Sequence, residues 1–204
     1  MTFKECRSLI CSDYRRLSRS DAQTCFGWGK FLARIMGNES FMVTFWYRIG
    51  SYLSEKNNPL AWIPLLLVKM VFRWNRFLTG IQINLGTDIG PGLKFFHYGS
   101  VVIGYTVKIG RNVSIHQGVT IGRVFAGKKA GMPTIGDNVV IFAGAKILGN
   151  IHVGHHAVIG ANAVVTNDVP DYSVVGGVPA KVISTDSRKC FDEHLAKIFA
   201  FYDV

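Results

Sequence analysis

The side chains of this 204-residue chain best suited to moving a proton near neutral pH are six histidines, His97, His116, His152, His155, His156 and His194. Two are set apart by their surroundings. His97 stands in the run Phe95-Phe96-His97-Tyr98-Gly99-Ser100, one residue before an expected turn, where neither a buried interior nor the turn itself calls for a histidine. His116 follows nineteen residues later. A histidine held beside a bound hydroxyl would act as its general base. Metal chemistry is not expected. His152, His155 and His156 do not form an H-x4-H arrangement, and Cys6, Cys11, Cys25 and Cys190 make neither a CxxC pair nor a dense disulfide framework. Free thiols in a reducing compartment are the default.

The elements that must position these residues are announced by a six-residue period. Apolar residues recur as Ile83, Ile89, Phe95, Val101, Val107, Val113 and Val119, and again as Ile135, Ile141, Ile147, Val153, Ile159 and Val165. A helix repeats at about 3.6 and a strand at about 2, so this spacing belongs to neither alone. It predicts a β-solenoid whose flat faces are each one hexapeptide long. Three residues after most anchors stands Gly, Asn, Asp or His, the types most tolerant of positive φ, with Tyr98 the exception. His156 and His116 fall in that corner column. Small residues such as Ala145, Ala157 and Ala163 fill a third column in the second run, whereas the first run has Tyr105, Arg111 and Gln117 there. Taking Ile103, Ile109, Ile115 and Ile121 as anchors restores the rule, which predicts a phase slip of two residues in a bulged corner near Ser100. His116 follows His97 by nineteen residues, one more than three hexads. Sixteen residues separate Val119 from Ile135, so most of residues 125–134 must leave the solenoid as a loop.

Residues 1–80 lack the hexad and read as helices, with starts at Ser20-Asp21 and Asn38-Glu39-Ser40. Over residues 63–78, Ile63, Leu67, Met70, Val71, Trp74 and Leu78 line one helical face beside a basic stripe of Lys69, Arg73 and Arg76. That face is expected to pack on the solenoid or a partner subunit, or to lie in a membrane interface. The longest unbroken apolar run, Leu60 to Val68, contains Pro64 and is too short to span a bilayer, which needs about 20 residues. The N-terminus lacks the apolar core of a signal peptide, so a cytoplasmic protein is expected. With 49% hydrophobic and 18% charged residues the chain is globular, and its net charge of +10 calls for an anionic partner. No nucleic-acid motif accompanies that charge, so cofactor phosphates, an acidic glycan or a membrane surface are the candidates.

Residues 143–150 (AGAKILGN), 159–165 (IGANAVV), 177–182 (GVPAKV) and 96–104 (FHYGSVVIG) resemble the hexapeptide-repeat acyltransferases, and serine acetyltransferase in particular. The resemblance covers roughly residues 81–184. It implies a mostly β fold: a left-handed parallel β-helix (81–184) behind a helical N-terminal region (1–80), with an extended loop and a short C-terminal helix in 185–204. It also implies acetyl transfer from acetyl-CoA to a hydroxyl, a homotrimer with active sites between chains, and a loop that closes over each site. By that match His97 is the general base and His116 a reserve base or acceptor contact. Ala143, Gly144 and Ala161 line the pantetheine slot, and Lys146 or Lys181 approaches the phosphates. Phe96, Tyr98, Lys128 and Lys129 face the acceptor.

Three departures bear on the acceptor. The family's aspartate that orients the base is Gln82 here, unless a carboxylate such as Asp88 substitutes. The aspartate before the histidine is Phe96, and Arg-His-Pro is Gly131-Met132-Pro133. The groups that read a zwitterion are thus replaced by apolar ones. The remainder resembles the colanic acid and capsular polysaccharide O-acetyltransferases, which predicts a sugar hydroxyl as acceptor. Serine O-acetylation in cysteine biosynthesis is the alternative, and a non-catalytic scaffold is the alternative of another class.

Overall fold

The computed structural model describes residues 1–17, 28–56 and 59–188. The helix start expected at Ser20-Asp21, most of the expected C-terminal helix, and Cys25, Cys190 and His194 lie outside the described residues.

The six-residue period folds as five coils of short strands. The first coil holds β1 (Gln82–Ile83), β2 (Asp88–Ile89) and β3 (Lys94–Phe96), and the second β4 (Val102–Ile103), β5 (Lys108–Ile109) and β6 (Ser114–His116). The third holds β7 (Thr120–Gly122), β8 (Thr134–Ile135) and β9 (Val140–Ile141), and the fourth β10 (Lys146–Leu148), β11 (His152–Val153) and β12 (Val158–Ile159). The last comprises β13 (Val164–Val165) and β14 (Val174–Gly176), closed by an antiparallel β15 (Lys181–Ser184). Strands three apart in sequence pair in parallel and build three sheets: β1-β4-β7-β10-β13, β2-β5-β8-β11, and β3-β6-β9-β12-β14 with β15 at its end. Their inward residues form continuous ladders, such as Ile83, Ile103, Ile121, Ile147 and Val165 in the first sheet, all buried. These β-branched side chains suit a half-buried pleated face, and a fully buried Val or Ile contributes about 1.5–3 kcal/mol each.

Register reports the irregularities. Paired residues are eighteen apart between the last coils, as in Lys146 and Val164, but twenty apart between the first two, as in Phe95 and Ile115. The two extra residues sit in the corner 97–101, where His97, Gly99 and Ser100 all have positive φ (60°, 130° and 52°). The slip expected near Ser100 is therefore a widened corner. A separation of 26 residues between Ile109 and Ile135 places the excursion between β7 and β8.

Among the described residues four helices precede the solenoid: α1 (Phe3–Leu17), α2 (Trp28–Gly37), α3 (Glu39–Ser54) and, after a 3-10 turn at Pro59–Ala61, α4 (Trp62–Thr79). Asn38 caps α3 as expected, its Oδ1 accepting from Phe41 N at 2.9 Å. The helices are held on the solenoid by a buried pair. Arg48 of α3 donates to Asp13 of α1 (Nε to Oδ2, 2.9 Å) and to the Ile89 and Gly90 carbonyls, while Asp13 Oδ1 accepts from Gly92 N and Leu93 N at 2.8 and 3.0 Å. Arg16 adds bonds to the Gly92 carbonyl and Ser114 Oγ, and Ser40 Oγ accepts from Phe95 N. Most of these clamp the corner before β3 or β3 itself, the strand that leads into His97, while the Ser114 bond reaches β6 and the Ile89 bond the end of β2. In α4 the apolar face singled out in the sequence does not pack on the chain's own solenoid, which leaves the partner-subunit and membrane-interface readings. Leu65, Val68, Phe72, Asn75 and Thr79 turn inward, whereas Ile63, Leu67, Met70, Trp74 and Leu78 are exposed. On the inner side Val68 and Leu85 meet at Gly50 of α3, and the most continuous apolar stripe is the outer one.

Candidate active site

Most of the singled-out residues share one edge of the prism, where the third sheet turns into the first. Backbone bonds stack its corners. Gly118 N donates to the Gly99 carbonyl (2.8 Å), Gly144 N to Gln117 (2.9 Å), Asn162 N to Ala143 (2.8 Å), and Val164 N to Gly177 (3.0 Å). His97 and Tyr98 are thus in register above Gln117-Gly118, Ala143-Gly144 and Ala161, and the strand end at His116 adjoins them. Gln82 flanks the top of the edge, its N–H donating to the Val101 carbonyl at 2.7 Å. Lys181 begins β15 at the bottom, exposed. Asp88 does not belong to this group. It lies on β2 in the second sheet, paired with Lys108, and so does not stand in for an aspartate beside His97.

His97 is in the turn itself, not one residue before it. A positive φ is tolerated by histidine better than by most residues, and such strain at a non-glycine is a feature of functional sites. The turn presents an exposed imidazole, with exposed Tyr98 beside it. His116 also differs from expectation: it ends strand β6 and is no corner residue. Its ring is stacked between Phe96 (centroids 4.8 Å apart) and Phe142 (4.9 Å), with Nε2 buried and without a hydrogen-bond partner. Lys94 Nζ lies 4.4 Å from the centroid of the Phe96 ring. Phe142 and Lys94 were missed in the sequence, although outward positions of successive coils stack automatically once the register of twenty and then 26 residues is known.

Burial, reinforced by the charges of His97 and Lys94, lowers the His116 pKa to about 4. His116 is thus neutral near pH 7 and a poor proton acceptor there. The folded pKa lies below the ordinary value of 6.5, so between these values the unfolded chain binds a proton that the native chain refuses. Stability contributed by neutral His116 is complete above that window and lost as pH falls through it. Denaturation at pH 7 and pH 5 should therefore show wild type losing stability on acidification, and His116→Asn losing distinctly less.

Small residues line the lower edge, where Gly144 has φ of 74° and a Cβ would meet Asn162 Oδ1 at 2.0 Å. The cations are placed unequally around it. Lys146 is engaged by its own coil, donating to the Gly118 carbonyl (2.5 Å) and Thr120 Oγ1 (3.1 Å), which leaves Lys181 the more available for phosphate. The 123–133 loop runs down a different edge, between the first and second sheets. There Val124 bridges Gly131 and Lys129 Nζ donates to the Thr166 carbonyl at 2.7 Å and to Asn167 Oδ1. Lys128 is exposed, and Met132 packs at Gly104. Within one chain, then, Lys128 and Lys129 do not join His97. Among the described residues no group of three or more His, Cys, Asp or Glu could hold a metal ion.

Comparison with known proteins agrees with this geometry. The family model for the bacterial transferase hexapeptide (six repeats) matches residues 132–167. A serine acetyltransferase of Staphylococcus xylosus is 48% identical over 126 residues, covering 61% of this chain and 57% of that protein. One of Staphylococcus aureus is 51% identical over 123 residues, covering 58% and 57%. The chain thus spans somewhat over half the length of the curated relatives it matches. Among solved structures, a serine acetyltransferase in complex with cysteine has a TM-score of 0.72 at 33% identity, covering 91% of this chain and 68% of that one. Another in complex with CoA has 0.70 at 31%, covering 89% and 71%. The Neisseria gonorrhoeae serine acetyltransferase in complex with serine has 0.70 at 29%, covering 89% and 70%. These findings overturn the sugar-acceptor, polysaccharide reading. The replacements at Phe96 and Gly131-Met132 say which groups differ, not what acceptor is taken, and the matched relatives are serine acetyltransferases. With its left-handed parallel β-helix behind an N-terminal helical region, the chain belongs to the serine acetyltransferase family of hexapeptide-repeat transferases.

Proposed function

We propose that this chain is an acetyl-CoA-dependent O-acetyltransferase with serine as acceptor, acting in the cytoplasm. The observation that carries the reading is the single edge that aligns His97, the small corner residues and Lys181, in a chain whose relatives are serine acetyltransferases. His97 takes the proton of the serine hydroxyl as its oxygen attacks the thioester carbonyl. The tetrahedral oxyanion collapses, the carbon–sulfur bond breaks, and the proton passes from His97 to the departing thiolate. Gln82 orients the imidazole by accepting its N–H, without the charge that a carboxylate would lend to the imidazolium. Neutral His116, whose buried Nε2 lacks a partner, is a contact for the acceptor, as are Phe96 and Tyr98.

The working unit we propose is a homotrimer. Lys128 and Lys129 lie on the wrong edge to serve their own His97, but an adjacent subunit could present them there. The purified protein is expected to release CoA thiol from acetyl-CoA only when L-serine is present, with O-acetylserine seen by mass spectrometry, and to scatter light as about three times 22.6 kDa. Thiol release with another acceptor but not with serine would overturn the assignment. A turning-over monomer would overturn the trimer.

A further inference from the structure

The outer face of α4 is built for a surface, and we propose that this surface is an anionic phospholipid membrane. At about 100° per residue, the packed residues Leu65, Val68, Phe72, Asn75 and Thr79 occupy one arc of the helix. The opposite arc, about 120° wide, carries Ile63, Leu66, Leu67, Met70, Trp74, Phe77 and Leu78. All of these are exposed, Ile63 at 73% and Phe77 at 81%. Lys69, Arg73 and Arg76 fill the strip between the two arcs and line a groove against Ile81, Gln82 and Asn84 at the start of the solenoid. No helix among the described residues is long and apolar enough to cross a membrane. Lying flat in the interface is a different matter, and it asks for what α4 has: a wide apolar face, tryptophan, and cations at its border.

Charge selects the occupant. Helix α4 contains no Asp or Glu, and the whole chain carries a net charge of +10. A two-fold contact of this face with a second copy would repeat the same basic strip on both sides without acids from α4 to answer it. An anionic bilayer supplies both complements at once: hydrocarbon for the apolar arc, and headgroup phosphates for Lys69, Arg73 and Arg76 at its edge. The inference does not depend on the acceptor or on the catalytic roles proposed above.

The test is co-sedimentation of the full chain with vesicles of phosphatidylglycerol and phosphatidylcholine in equal parts, against phosphatidylcholine alone. Each cation near an anionic surface strengthens partitioning about fivefold, so the triple substitution Lys69→Gln, Arg73→Gln, Arg76→Gln should weaken binding about 100-fold, and raised salt should weaken it too. Leu66→Ser with Phe77→Ser should release the protein from the mixed vesicles; both side chains are exposed, so folding is retained. Absence of binding to the anionic vesicles overturns the proposal, as does equal binding by wild type and the triple variant. A fall in light-scattering mass caused by Leu66→Ser with Phe77→Ser also overturns it, because the face would then belong to a second copy.

Discussion

His97→Asn is expected to slow acetyl transfer about 10²- to 10⁴-fold, which is about 2.7–5.4 kcal/mol of transition-state stabilisation. Asparagine is the informative replacement because the backbone at this position has φ of 60°, which asparagine adopts without the penalty that alanine would incur. Melting temperature and acetyl-CoA binding should therefore stay close to wild type, and the loss should appear in kcat. The comparison that gives the result its meaning is His116→Asn. Its imidazole is buried between Phe96 and Phe142 with a pKa of about 4, so it is a poor proton acceptor at pH 7. That variant should retain activity within about tenfold, with any loss concentrated in the KM for serine if Nε2 contacts the acceptor. An inactive His116→Asn beside an active His97→Asn would exchange the two roles.

How far the sequence could be read depended on which constraint each residue answers to. The prism was legible because its geometry leaves no freedom: every sixth side chain must enter a narrow interior, and Ile121, Ile135 and Ile141 do so fully buried. Even the widened corner at 97–101 could be read, since two extra residues put one column out of step with the other. The same counting misplaced His97 and His116 by a residue or so, because a column assigned from the period alone cannot say which residue of a five-residue corner adopts positive φ. Helix α4 could be read only in part, for a different reason. Hydrophobic periodicity reports that a face avoids water, not what it meets, and the broader of its two apolar faces is the one left outside. The acceptor failed on the same logic. Losing the charges at Phe96 and Met132 says that a contact is gone, whereas the rest of the chain, at 48–51% identity to serine acetyltransferases over its matched part, still carries that family's pattern.

Asp13→Ala is expected to cost about 3–5 kcal/mol of stability. Arg48 would be left buried without its counter-charge, and Gly92 N and Leu93 N would lose the carboxylate oxygen they share. For a chain of this size that corresponds to a drop in Tm of roughly 6–20 °C. The pair's role can be separated from its charge. Asp13→Leu combined with Arg48→Met removes both ions together, and a well-packed apolar replacement of a buried pair is often neutral or better, so much of the lost stability should return. Activity should follow a different course in the two variants. The pair clamps α1 and α3 to the corner before β3, and β3 leads directly into the turn at His97, so a loosened clamp blurs the base's position even in molecules that remain folded. In Asp13→Ala, kcat should therefore fall at temperatures well below the new Tm, whereas the double replacement should restore Tm more completely than kcat if the hydrogen bonds to Gly92 and Leu93 set the register of β3. Equal recovery of both would show that the helices need only be held in place, by whatever chemistry, for the turn to form.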